Sequence, residues 1–123
     1  MKTRILIVDD DRALCEELAD YLQESGFIVD HVQLPEQGIE RLSQDRYDVL
    51  LLDFKMPQFD GIELLKRSQD KVKGVKIFFI SGSLAVVQKL KEQGLSSLVA
   101  GVFSKPFDLQ ALQSAITDAV KAQ

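Results

Sequence analysis

A chain of 123 residues, 46% of them hydrophobic, is sized for one domain that buries roughly two-thirds of the surface its unfolded form exposes. Its 15 Lys and Arg against 19 Asp and Glu give a formal charge of −4, which argues against a nucleic-acid surface and against a basic stripe for anionic lipid. A single cysteine, Cys15, cannot form an internal disulfide, and no run approaches the ~20 apolar residues of a membrane span, so a soluble cytoplasmic protein is expected. The start, Met1-Lys2-Thr3-Arg4, carries the charge of a signal peptide, but the apolar run behind it ends after four residues at three aspartates.

Short apolar runs at 5–8, 27–32, 49–52, 75–80 and 99–103 predict five strands, and the stretches between them carry helical spacing. In the first helix Leu14, Leu18 and Leu22 recur every four residues, with Asp11 placed as N-cap and Gly26 just past the end. Pro35 suits the first position of a second helix, whose short apolar face is Ile39 and Leu42. Ile62, Leu64 and Leu65 mark a third helix over 61–68, and Val86, Val87 and Leu90 a fourth over 84–93. A fifth follows Asp108, its candidate cap, with Leu109, Leu112, Ile116 and Val120 on one face. This alternation is the pattern of an α/β domain with a parallel sheet and helices on both faces. No linker or repeat interrupts it, so residues 1–123 are expected to be one domain without an appended output domain.

Ligands of open α/β sheets collect outside the carboxyl ends of the strands, and the polar residues of this chain fall there. The first strand ends in Asp9-Asp10-Asp11, the third in Asp53, the fourth in Ser81-Gly82 and the fifth in Ser104-Lys105-Pro106. Each alone has an ordinary explanation as a cap, a turn or a surface lysine. Gathered on one rim, unpaired carboxylates repel and call for a cation. Magnesium suits them: it takes one or two carboxylates and leaves positions for phosphoryl oxygens. Asp9, Asp10 and Asp53 against Lys105 and Mg²⁺ sum to a formally neutral site.

Ile5 to Asp11, the phrase Leu52-Asp53-Phe54-Lys55-Met56-Pro57 with Asp60-Gly61, Ile80-Ser81-Gly82, and Lys105-Pro106-Phe107 together resemble the receiver domain of two-component response regulators over nearly the whole chain. The resemblance implies a flavodoxin-like (βα)5 fold with strand order 2-1-3-4-5. It also implies that Asp53 is a phosphoacceptor, taking a phosphoryl group from a phosphohistidine on a sensor histidine kinase or histidine phosphotransfer protein. Asp9 and Asp10 become an acidic pair for Mg²⁺, with Asp10 the direct ligand and Asp9 holding water on the ion; the backbone carbonyl of Lys55 completes the set. Ser81 and Lys105 contact the phosphoryl oxygens, and the Lys105-Pro106 bond is cis. The output is a change in the surface of the fourth helix, fifth strand and fifth helix, which binds a downstream effector or output domain and in relatives also forms dimers. The domain is then no enzyme, catalysing only its own phosphorylation and dephosphorylation.

Several residues depart from that pattern. Ser81 stands where Thr is usual and keeps the hydroxyl. Val102 stands where relatives carry a mobile Tyr or Phe, and Phe103 is expected to pack in the core from the opposite face of its strand. Lys55 and Ser83 occupy positions that influence attack by water, from which slow self-dephosphorylation is expected. His31 and Cys15 read as structural, Phe78 and Phe79 as core, and the lysines of 66–76 as a solvated face. Two rival readings remain: a receiver-like module that binds without phosphorylation, and a haloacid-dehalogenase-like phosphatase with Asp9 as nucleophile.

Overall fold

The computed structural model describes residues 2–83 and 85–121. Five strands, β1 (Arg4–Val8), β2 (Ile28–Val32), β3 (Val49–Asp53), β4 (Lys76–Ser81) and β5 (Val99–Ser104), alternate with helices α1 (Arg12–Glu24), α2 (Pro35–Gln44), α3 (Gly61–Arg67), α4 (Ala85–Glu92) and α5 (Leu109–Lys121). All pairings are parallel and the order is β2-β1-β3-β4-β5. The fold is therefore the flavodoxin-like one, with β1, β3, β4 and β5 side by side.

Side-chain alternation along the strands makes two apolar layers. Leu6, Val8, Leu50, Leu52, Ile77 and Phe79 face α2, α3 and α4, whereas Ile5, Ile7, Val49, Leu51, Phe78 and Ile80 face α1 and α5. Every residue of β3 is buried, because the strand is central and covered on both faces. Helices begin where their caps dictate: Asp11 accepts the Leu14 N–H, Asp60 the Glu63 N–H and Asp108 the Gln110 N–H. Gly26 follows α1 at φ 99°, the left-handed conformation that ends a helix at least cost in glycine.

The boundaries differ from expectation in small ways. Helix α3 stops at Arg67, with Ser68 as its C-cap. The predicted start of the fourth helix at Leu84 lies outside the described residues. The segment before β5 holds a 3-10 turn, Ser96–Leu98. Phe103 packs against the core on the α1 and α5 side as expected, but β5 is an edge strand, so the ring is only half-buried, 6.1 Å from Phe78 and 6.5 Å from Phe107 between centroids. Among the described residues no helix is long and apolar enough to cross a membrane.

Candidate functional site

Strand β1 delivers Asp9 to the carboxyl rim completely buried, and the surroundings hold it in place. Its N–H donates to the Val32 carbonyl at 3.2 Å and its carbonyl accepts from the Cys15 thiol at 3.4 Å. One carboxylate oxygen accepts the Asp11 N–H and the other the Lys105 ammonium, both at 2.9 Å. Asp10 is exposed. Asp53, the last residue of β3, is 5% exposed. Asp9, Asp10 and Asp53 each offer one carboxylate oxygen, and these oxygens lie within 4.8 Å of one another.

Lys105 comes from the end of β5, where its N–H donates to the Ser81 carbonyl at 2.8 Å and a cis bond joins it to Pro106. Its ammonium stands 3.6 Å from Asp53, farther than from Asp9. Ser81, at the end of β4, is buried, and its oxygen accepts the Ser83 N–H at 3.0 Å. The register that sets Asp53 beside Ile80 and Ser81 beside Ser104 brings these strand ends to one rim.

Among the described residues, Lys105 is the one cation paired with this cluster, and it meets Asp9 and Asp53 only. Burial first, and then the negative charge of Asp9, push the Asp53 carboxyl up to about 7, against the opposing pull of Lys105. Burial alone would lower the Lys105 ammonium; its hydrogen bond to Asp9 and the charges of Asp53 and Asp9 leave it raised instead. The site is thus short of positive charge, and its donors are hard carboxylate oxygens, so the residues present fit a divalent cation such as Mg²⁺. Such an ion would favour the ionised Asp53, the nucleophilic form.

The loop after Asp53 folds back against the backbone of that residue. Gly61 donates its N–H to the Phe54 carbonyl at 2.8 Å, and a Cβ there would collide with the Asp53 carbonyl oxygen. Only glycine permits this approach. Gln58 turns the chain at φ 74°, Phe54 is buried beneath the loop, and the Lys55 side chain is exposed.

The structure brings together Asp9, Asp10, Asp53 and Lys105, with Ser81 on the neighbouring strand end. It leaves His31 on β2, within 2.9 Å of the Gln33 amide. Cys15 is fully buried and its thiol is pushed up to about 11, chiefly by burial, which removes the reactive thiolate. Its contact with the acidic turn was missed in the sequence, although its place on the Leu18 and Leu22 stripe aims it at β1. Val102 and Phe103 face opposite apolar layers as expected.

The family model described as "Response regulator receiver domain" matches residues 5–117. The chain belongs to this family. It is 36% identical over 113 residues to response regulator receiver protein CpdR of Brucella abortus (strain 2308), covering 92% of each chain. Among solved structures, a CheY-like receiver from Methanospirillum hungatei superposes with a TM-score of 0.90 at 23% identity, covering 99% of this chain and 96% of that one. TrrA of Thermotoga maritima, solved in complex with Mg²⁺-BeF, gives 0.80 at 27% identity, covering 96% and 98%. The chain spans about half, 47%, of response regulator MprA of Mycobacterium ulcerans. It is a regulatory receiver domain of two-component signalling, a class that works with histidine kinases and output effectors.

Proposed function

We propose that the domain accepts a phosphoryl group on Asp53 from a phosphohistidine of a sensor kinase or phosphotransfer protein. The observation that carries this reading is the cluster itself: three carboxylate oxygens within 4.8 Å, two of the side chains buried, and, among the described residues, one ammonium that pairs with Asp9 and Asp53. A purely structural cluster would not keep such an imbalance. The complex of TrrA with Mg²⁺-BeF lends support from a relative.

An oxygen of ionised Asp53 attacks phosphorus, the phosphorus–nitrogen bond of the donor breaks, and the imidazole leaves with the electron pair. Lys105 holds a phosphoryl oxygen, and Ser81 donates its hydroxyl to another. Asp10, exposed at the rim, would be the direct ligand for Mg²⁺, with the Lys55 carbonyl and Asp53. Asp9, whose oxygens already serve Asp11 and Lys105, would act on the ion through water. A Mg²⁺ ion held there would supply neutralising charge for the carboxylates and the phosphoryl oxygens. Lys55 and Ser83 near the entry make self-dephosphorylation slow. The readout is the surface of α4, β5 and α5, which takes an effector or a second copy. Residues 1–123 act as one receiver unit in the cytoplasm.

Incubation with acetyl phosphate and Mg²⁺, followed by intact mass, tests this. The wild type gains one phosphoryl group and Asp53→Asn does not. Label retained in Asp53→Asn but lost in Asp9→Asn would favour the phosphatase-like chemistry. An unmodified wild type would favour a module that signals without phosphorylation.

A further inference from the structure

Receivers must transmit the state of the acceptor to α4, and the usual aromatic on β5 is replaced here by Val102. The space this leaves is visible. Between α4 and β5 runs an apolar groove of about 220 Å³, lined by Val87, Leu90, Val99 and Val102. On its other flank α4 is separated from α3 by a cleft of about 400 Å³, lined by Ile62, Glu63, Lys66, Lys89 and Glu92. Helix α4 buries only Val86 and Leu90 among its described residues. It is therefore lightly held on both sides.

Besides the apolar packing of Val86 and Leu90, a charged side chain of α4 reaches the residue that follows the acceptor strand. The Lys89 ammonium lies 5.3 Å from the centroid of the Phe54 ring, within cation–π range. Phe54 is the residue directly after Asp53, is 4% exposed, and accepts the Gly61 N–H on its carbonyl. In close packing, a shift of the backbone at Asp53 and Phe54 displaces the ring that this backbone carries.

We propose that Lys89 is the positioning residue that couples α4 to the acceptor, through the ring of Phe54, in place of an aromatic on β5. A change in the Asp53 backbone tilts the ring, and the cation over its face carries α4 with it. Among the described residues α4 makes no salt bridge, so no other charged side-chain tie holds it to this loop. The inference rests on Asp53 being the acceptor.

Amide NMR spectra with and without Mg²⁺ and beryllofluoride test both readings separately. In the wild type, amides beside Asp53 and amides of α4 shift. In Lys89→Met, which keeps the aliphatic stem but not the charge, the α4 shifts fall by about threefold, whereas those at Phe54 and Gly82 persist. Lys89→Arg restores the α4 response, which a role in packing alone would not predict. Equal α4 shifts in Lys89→Met and wild type overturn the coupling and leave the acceptor intact. No shift beside Asp53 in the wild type overturns the acceptor reading and the coupling together.

Discussion

Two clusters of charged side chains lie on this domain, and they are built to opposite rules. Around Asp30 on β2, the Tyr47 hydroxyl donates at 2.7 Å, and Arg41 and Arg4 stand at 3.5 and 3.7 Å from the same oxygen. Arg4 also covers the Tyr47 ring at 5.1 Å. The Tyr47 phenol is pushed up by burial and then by Asp30, which keeps it a donor. One anion thus has two cations and a hydroxyl, in a setting about a third open to water. At the carboxyl rim three carboxylates, two of them buried, have one cation among the described residues, and it pairs with Asp9 and Asp53. A structural cluster completes itself from its own residues, whereas the rim leaves charge to be completed by a ligand.

The largest consequence concerns stability without metal. In the unfolded chain the Asp53 carboxyl titrates at the ordinary 3.8, but in the folded site at about 7. Between those values the folded state binds more protons, so stability falls as pH rises through that window, and the cost is complete above it. Asp53→Asn removes the cost. In chelator, it is expected to stabilise the protein by roughly 2–4 kcal/mol at pH 8, with the gain vanishing near pH 4. Urea unfolding at the two pH values checks this, and an unchanged midpoint at pH 8 would mean that the rim is not under electrostatic load.

The same experiment on the other cluster should change sign. Asp30→Ala leaves the Tyr47 hydroxyl and two guanidinium groups without their acceptor, which costs roughly 1–2 kcal/mol at this partly open site. No binding group for a divalent ion is lost, so calorimetric Mg²⁺ affinity should stay as in the wild type. Stabilisation by Asp30→Ala would erase the distinction between the clusters.

Much of this architecture can be read in the residues. The five strands announce themselves as short apolar runs because a parallel sheet covered on both faces needs no polar alternation. Asp11, Asp60 and Asp108 stand where their helices begin, and the carboxylates, Ser81 and Lys105 stand at strand ends, so the rim follows from the strand order. What local spacing does not carry is pairing at a distance. That Lys105 favours Asp9 over Asp53 depends on where the end of β5 lands. That Lys89 meets Phe54 depends on how α4 leans, and the half-burial of Phe103 depends on β5 being an edge. Gly38 is a further case: a Cβ there would press on Val8 at 2.9 Å, a contact invisible until α2 is laid on β1.

The finest distinction between the clusters lies in what a single cation does in each. At the rim, the Lys105 ammonium occupies an Asp9 oxygen and stands near Asp53, where under the proposed function it would compete with an incoming divalent ion. At a pH well above the Asp53 value, Lys105→Met leaves three negative charges facing the ion instead of three offset by one positive charge. Mg²⁺ should then bind about tenfold more tightly, while acceptance of a phosphoryl group from acetyl phosphate slows, because the same ammonium is needed on the transferred oxygens. Opposite responses of metal affinity and phosphorylation rate are the signature of a group that serves the transferred group and not the ion. If both quantities fall together, Lys105 is holding the site in shape, and the roles given to Asp9 and Lys105 must be redrawn.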